Sequence, residues 1–224
     1  MAEIVFLSDK NRERYLRVLA PAVTFFVRTG IHPHVLTFTG FILSILAGFI
    51  YSTGAFFWGA CVVTLAGTCD ALDGQIARQT KQNSPFGAFL DSTLDRFSDV
   101  FLLMGLAYYF AGGQVLVGSQ SGGVHGKTSP WTVIIIILAI TGSFMVSYTR
   151  ARAEGSGIEC KKGLMQRPER ITLLIIGSFL GAIPWLGPIL LQCTLVLLAI
   201  STNITALHRI FYVRKQLLTG NPVE

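Results

Sequence analysis

Asp70 and Asp73 lie three positions apart and Asp91 and Asp95 four apart, each pair inside one of two long runs that are largely apolar. Both spacings place the two carboxylates of a pair on one helix face. A charged side chain at membrane depth costs about 2.5–3.5 kcal/mol on insertion scales and marks function by default. Ion pairing alone does not explain these acids, because Arg78, Lys81 and Arg96 are outnumbered by Asp70, Asp73, Asp91, Asp95 and Asp99. A divalent cation does explain them. Carboxylate oxygens suit hard Mg²⁺ or Mn²⁺, and no soft ligand is near. Such ions bring phosphate with them. Gly74 would let a ligand come close, and Arg78 could hold a diphosphate. The rival chemistry is a cation or proton transporter, which calls for acids spread through the bilayer along a through-path. Here they gather at one end.

The elements that must position these acids are long apolar runs. The 224-residue chain is 51% hydrophobic and 13% charged, against about 25% charged residues in soluble domains. An all-α integral membrane fold is expected, with six spans at roughly 35–51, 56–77, 87–110, 131–148, 171–183 and 189–211. Residues 11–28 mix Arg12, Arg14, Arg17 and Arg28 with Leu16, Leu19, Val23 and Phe26, which suits an amphipathic helix lying at the membrane surface. No polar linker or repeat divides the chain, so residues 1–224 read as one membrane domain, with the bundle at 35–211. A short turn at Asn83-Ser84-Pro85 makes the second and third spans antiparallel neighbours, so the two acid pairs can face each other. The segment 111–130 is rich in Gly and Ser and reads as an external loop.

Charge placement orients the bundle. With the N-terminus in the cytoplasm and six crossings, every lysine and arginine except Lys127 and Arg96 falls in a cytoplasmic segment, a strong positive-inside signal. Both termini and the acidic site are then cytoplasmic, and the plasma membrane is the expected location. The net charge of +6 does not indicate a nucleic-acid partner, because the basic residues flank apolar blocks rather than forming one soluble face. Met1 to Arg17 lacks an apolar core and a cleavage site, and is not expected to be a secretory signal. Cys61, Cys69, Cys160 and Cys193 form no CxxC pair, so zinc or disulfide roles are not expected.

The spacing Asp70-x2-Asp73-Gly74-x2-Ala77-Arg78-x8-Gly87-x3-Asp91-x3-Asp95 resembles, at every fixed position, the signature of the CDP-alcohol phosphatidyltransferase family. The six-span plan and the surface helix resemble that family too, over nearly the whole chain. The resemblance implies a homodimer and a two-metal site that moves a phosphatidyl group from CDP-diacylglycerol, or a related CDP-lipid, to an alcohol with release of CMP. By that resemblance Asp70, Asp73, Asp91 and Asp95 are metal ligands and Asp95 is also the general base. Gly74, Ala77 and Arg78 match CDP-binding positions; with the acids Asp70 and Asp73 they form the nucleotide site. Pro33, His34 and Thr37 resemble the family's Pro-Asn-x-x-Thr entry to the first span, where the threonine lies near the nucleotide. His34 departs from the usual Asn or Asp and reads as an interfacial or capping residue. Asp99 extends the Asp91–Asp95 stripe but lies outside the motif, which suits helix packing or support of the ligands. Arg96 either pairs with it or reaches a phosphate.

Acceptor choice lies elsewhere. The stretch Ser147-Tyr148-Thr149-Arg150-Ala151-Arg152-Ala153-Glu154, read as a cytoplasmic loop, and Arg167-Pro168-Glu169-Arg170 cluster basic residues. Arginines hold phosphate oxygens in a fork, so a phosphorylated acceptor is expected; the other reading is ordinary positive-inside charge. Both stretches resemble those of phosphatidylinositol-phosphate synthases, which implies inositol phosphate as acceptor, with Ser147, Arg150, Arg152 and Arg209 as its ligands. Arg150 stands where that subfamily often has Lys. Glycerol-3-phosphate remains the alternative acceptor at this stage.

Overall fold

The computed structural model describes residues 9–80, 84–113, 128–160, 163 and 165–219. Its described regular structure is entirely helical: α1 (Asp9–Arg28), α2 (Pro33–Ser52), α3 (Phe56–Gln79), α4 (Pro85–Phe110), α5 (Pro130–Glu154), α6 (Arg167–Gly181) and α7 (Gly187–Thr219). Most of the glycine-rich loop expected at 111–130, and Lys81, Lys127, Lys161 and Lys162 from the charge argument, lie outside the described residues. The chain divides into two compact units, one built on residues 7–109 and the other on residues 123–224.

In the first unit the helix starts follow local chemistry. His32 caps α2, its Nδ1 accepting from the His34 N–H at 3.4 Å, with Pro33 at the first helical position, where its missing N–H costs nothing. Ser84 caps α4 by accepting from the Gly87 N–H at 2.9 Å, as helix N-caps do. Glycines set how closely the helices approach. A Cβ on Gly40 would lie 3.2 Å from the Ala66 carbonyl of α3. A Cβ on Gly48 would run into the Phe101 carbonyl of α4, and one on Gly105 into the Gly48 carbonyl. α2 and α4 therefore pack backbone to backbone. On α1, Leu19 and Val23 are buried against Leu36, Leu72 and Ile76, with Phe26 packed beside them, while Val18 and Phe25 stay exposed. One face of α1 is thus docked on α2 and α3, as its amphipathic pattern requires.

In the second unit α5 and α7 run parallel. Asn203 Nδ2 donates to the Leu138 carbonyl at 3.0 Å, Gly142 leaves room for Thr202, and Arg209 donates to the Val146 carbonyl. α6 returns antiparallel to α7, with Gly177 against Thr194 and Gly181 against Leu191. Trp185, in the reversal between α6 and α7, takes φ +70°.

Among the described residues, four helices, α2, α3, α5 and α7, are long and apolar enough to cross a membrane; six crossings were expected. α4 has the length but carries Asp91, Asp95, Arg96 and Asp99. The 15 residues of α6 rise about 22 Å at 1.5 Å per residue, short of a hydrocarbon core of about 30 Å. Two boundaries also moved. Ser147–Glu154 is not a loop but the last two turns of α5, where Arg150 Nε meets Glu154 Oε1 at 2.8 Å across one turn. Arg167–Arg170 is the first turn of α6, with Pro168 and Glu169 placed where helix starts favour them.

Candidate functional site

The acid pairs converge. One carboxylate oxygen from each of Asp70, Asp91 and Asp95 lies within 4.8 Å of the other two, and all three residues are half-buried. Opposed oxygens around a Mg²⁺ ion stand about 4.2 Å apart, so small side-chain adjustments suffice for a hard divalent ion, and the all-oxygen donor set fits one. α3 supplies Asp70 from its C-terminal half and α4 supplies Asp91 and Asp95 one turn apart. Asp73 stands beside this trio. It is 6% exposed, and its Oδ2 accepts a 2.6 Å hydrogen bond from the Thr37 hydroxyl of α2. Asp70 and Asp91 are close enough for their charges to act on it.

Gly74 and Arg78 lie one turn apart near the C-terminal end of α3. A Cβ on Gly74 would meet the Arg78 guanidinium at an ordinary 3.6 Å, so the protein itself does not require glycine there. Ala77, in the same turn as Arg78, is half-buried. Gly87, a motif position, has a neighbour that sequence reasoning missed: a Cβ there would stand 2.9 Å from Cε1 of His34. The His34 ring, which also packs on His32 at 4.7 Å, thus joins the start of α2 to the first turn of α4. Arg96 donates to the Ser92 carbonyl of its own helix. Asp99 is 7% exposed, in keeping with a packing position.

The basic residues expected to hold an acceptor sit in the second unit, and the structure sorts them. Arg209 is buried and donates to the Val146 carbonyl. Arg150 and Arg170 lie within electrostatic reach of it, and Arg170 is itself buried. Ser147 is half-buried on α5, whereas Arg152, further along the same helix, is exposed. Positions two apart do not face each other on a helix, so Arg152 points away from the side that carries Arg150. Cys160 joins the cluster instead. Burial pushes its thiol up, with Arg209 and Arg150 pulling the other way. No spacing signal marked Cys160 or singled out Arg170, since both reach Arg209 only through tertiary packing.

The chain is similar to known proteins over most of its length. The family model for CDP-alcohol phosphatidyltransferase matches residues 30–208. The chain is 33% identical over 212 residues to the archaetidylinositol phosphate synthase of Methanothermobacter thermautotrophicus, covering 92% of this chain and 97% of that one. It is similar to the crystal structure of Mycobacterium tuberculosis phosphatidylinositol phosphate synthase with CDP-DAG bound, with TM-score 0.75 and 31% identity over 88% of this chain and 94% of that one. The complex of that enzyme with manganese and citrate gives TM-score 0.74 and 32% identity, covering 86% and 87%.

Proposed function

The chain belongs to the CDP-alcohol phosphatidyltransferase family, and from that premise we propose that it transfers a phosphatidyl-type group from CDP-diacylglycerol, or a related CDP-lipid, to inositol phosphate, releasing CMP. It is a membrane transferase of phospholipid synthesis. The observation that carries the reading is the convergence of Asp70, Asp91 and Asp95 within 4.8 Å.

Asp70, Asp73, Asp91 and Asp95 would hold two divalent ions, Mg²⁺ or Mn²⁺. Bound there, such ions polarise phosphoryl oxygens and neutralise charge on the leaving group. The chain's own residues do the rest. Gly74 leaves room for the nucleotide, and Arg78 above it and Ala77 beside it line the CDP site. Thr37 holds the Asp73 carboxylate in place. Asp95 takes the proton from the acceptor hydroxyl. The hydroxyl oxygen then bonds to the lipid-bearing phosphorus while the bond from that phosphorus to the CMP oxygen breaks. Ser147, Arg150 and Arg209 bind the phosphate of the acceptor, with Arg152 at the rim.

Inositol phosphate is favoured because it is the part shared by the product names of both relatives, whose lipid parts differ. We further propose that α4 and α6 complete six crossings in one catalytic domain, the turn residues 182–186 adding the reach that the 15 helical residues of α6 lack. In this arrangement α1 lies at the cytoplasmic surface of the plasma membrane, both termini and the site are cytoplasmic, and the protein works as a homodimer. The test is CMP release by purified protein given CDP-diacylglycerol, Mg²⁺ and, separately, inositol phosphate, glycerol-3-phosphate, inositol or serine. Release driven by inositol phosphate is expected. Release driven only by another acceptor would overturn the assignment of substrate.

A further inference from the structure

Arg209 is 2% exposed, deeply enclosed for a guanidinium. On one side the Val146 carbonyl of α5 accepts from its Nη1. On another lies Gly163, in the connection between α5 and α6. A Cβ built on Gly163 would stand 3.2 Å from Nε and 3.3 Å from Nη2 of Arg209, and 2.7 Å from Cγ2 of Thr205 one turn earlier on α7. Gly163 also takes φ +152°, a conformation L side chains rarely adopt. Space and backbone both call for glycine, and the nitrogens it faces form the Nε/Nη2 edge of a residue placed in the acceptor site.

We propose that Gly163 is a positioning residue for the acceptor site. Lacking a side chain, Gly163 can lie against Nε and Nη2 while Val146 fixes Nη1, so that the guanidinium plane is set before the acceptor arrives. This deepens the assignment of Arg209 as an acceptor ligand and rests on it. The physical reason is geometric. Arginine recognises phosphate through a rigid planar fork, and a plane held in advance spares the ordering cost that binding would otherwise carry. A methyl group at position 163 would press on that plane from 3.2 Å, and displacements of this kind weaken binding without touching the reacting atoms.

Three variants test this: Gly163→Ala, Thr205→Ser, and the two combined. Thr205→Ser removes Cγ2, the closest atom to the new methyl, and keeps a hydroxyl to donate to the Ser201 carbonyl. Gly163→Ala is expected to raise the KM for inositol phosphate roughly tenfold while the KM for CDP-diacylglycerol and the kcat stay near wild type. The double variant is expected to recover the part of the lost thermal stability that comes from the Cγ2 contact, the backbone strain at position 163 remaining, but to keep the raised acceptor KM, because the methyl still faces Arg209. An unchanged acceptor KM in Gly163→Ala would overturn the proposal. So would a wild-type acceptor KM in the double variant, since the defect would then lie with Thr205, and so would a double variant that does not fold, since glycine would then serve the backbone alone. Wild-type CMP release with inositol phosphate is measured in the same series. A silent wild type therefore exposes a failure of the acceptor assignment, distinct from a failure of Gly163.

Discussion

Asp95 shares a face of α4 with Asp91 and an oxygen cluster with Asp70. Asp95→Asn keeps the shape and one oxygen but removes the charge that accepts a proton. CMP release should fall by at least about 10²-fold, while folding and CDP-lipid binding persist; near-normal turnover would remove Asp95 from the role of base. Gly74→Ala offers the opposite kind of control. Its methyl would meet Arg78 at 3.6 Å, so the melting temperature should hold, while a nucleotide packed against that face should bind roughly tenfold more weakly. Titrating CDP-lipid into both proteins decides it. The arginines separate in the same way. Arg150→Ala should raise the acceptor KM more than Arg152→Ala, because Arg150 lies within electrostatic reach of Arg209 while Arg152 is exposed on another side of the helix. Equal effects would mean that both side chains reach the acceptor.

Helix packing is where the glycines act. α2 and α4 touch through Gly48 and Gly105, each of which would drive a Cβ into the other helix's backbone. Backbone cannot move aside as a flexible side chain can. Gly105→Ala should therefore cost about 1–3 kcal/mol by overpacking and lower the thermal midpoint by several degrees, read by a melting curve in detergent. An unchanged midpoint would mean that α2 and α4 are not held at this contact. The same contact matters for chemistry, because α4 carries Asp91 and Asp95 and α2 carries Thr37, the hydrogen-bond partner of Asp73.

For the molecule as a whole, metal dependence is the broadest expectation. Asp70, Asp91 and Asp95 crowd like charges into a half-buried site, and without a cation their repulsion opposes the close approach of α3 and α4. Treatment with EDTA should abolish CMP release, and added Mg²⁺ or Mn²⁺ should restore it. The chelated protein should also melt at lower temperature, as expected when a ligand that binds only the folded state is removed. Release that survives exhaustive chelation would remove divalent metal from the mechanism.

The amino-acid sequence alone determined the class of chemistry. Acids at spacings of three and four on apolar helices, with Gly74 and Arg78 alongside, imply a metal and a phosphate wherever those helices end up, because neighbours one turn apart are fixed by helix geometry itself. It also determined that α1 would be amphipathic and that the chain would be helical and apolar. Tertiary structure alone decided what depends on the register between helices. Thr37 meets Asp73 across 36 positions and Arg209 meets Val146 across 63, contacts that no local periodicity encodes. Packing likewise set Gly163 against Arg209. The extension of α5 through Glu154 then placed Arg150 and Arg152 on different sides of one helix, where a loop would have left them free to act together.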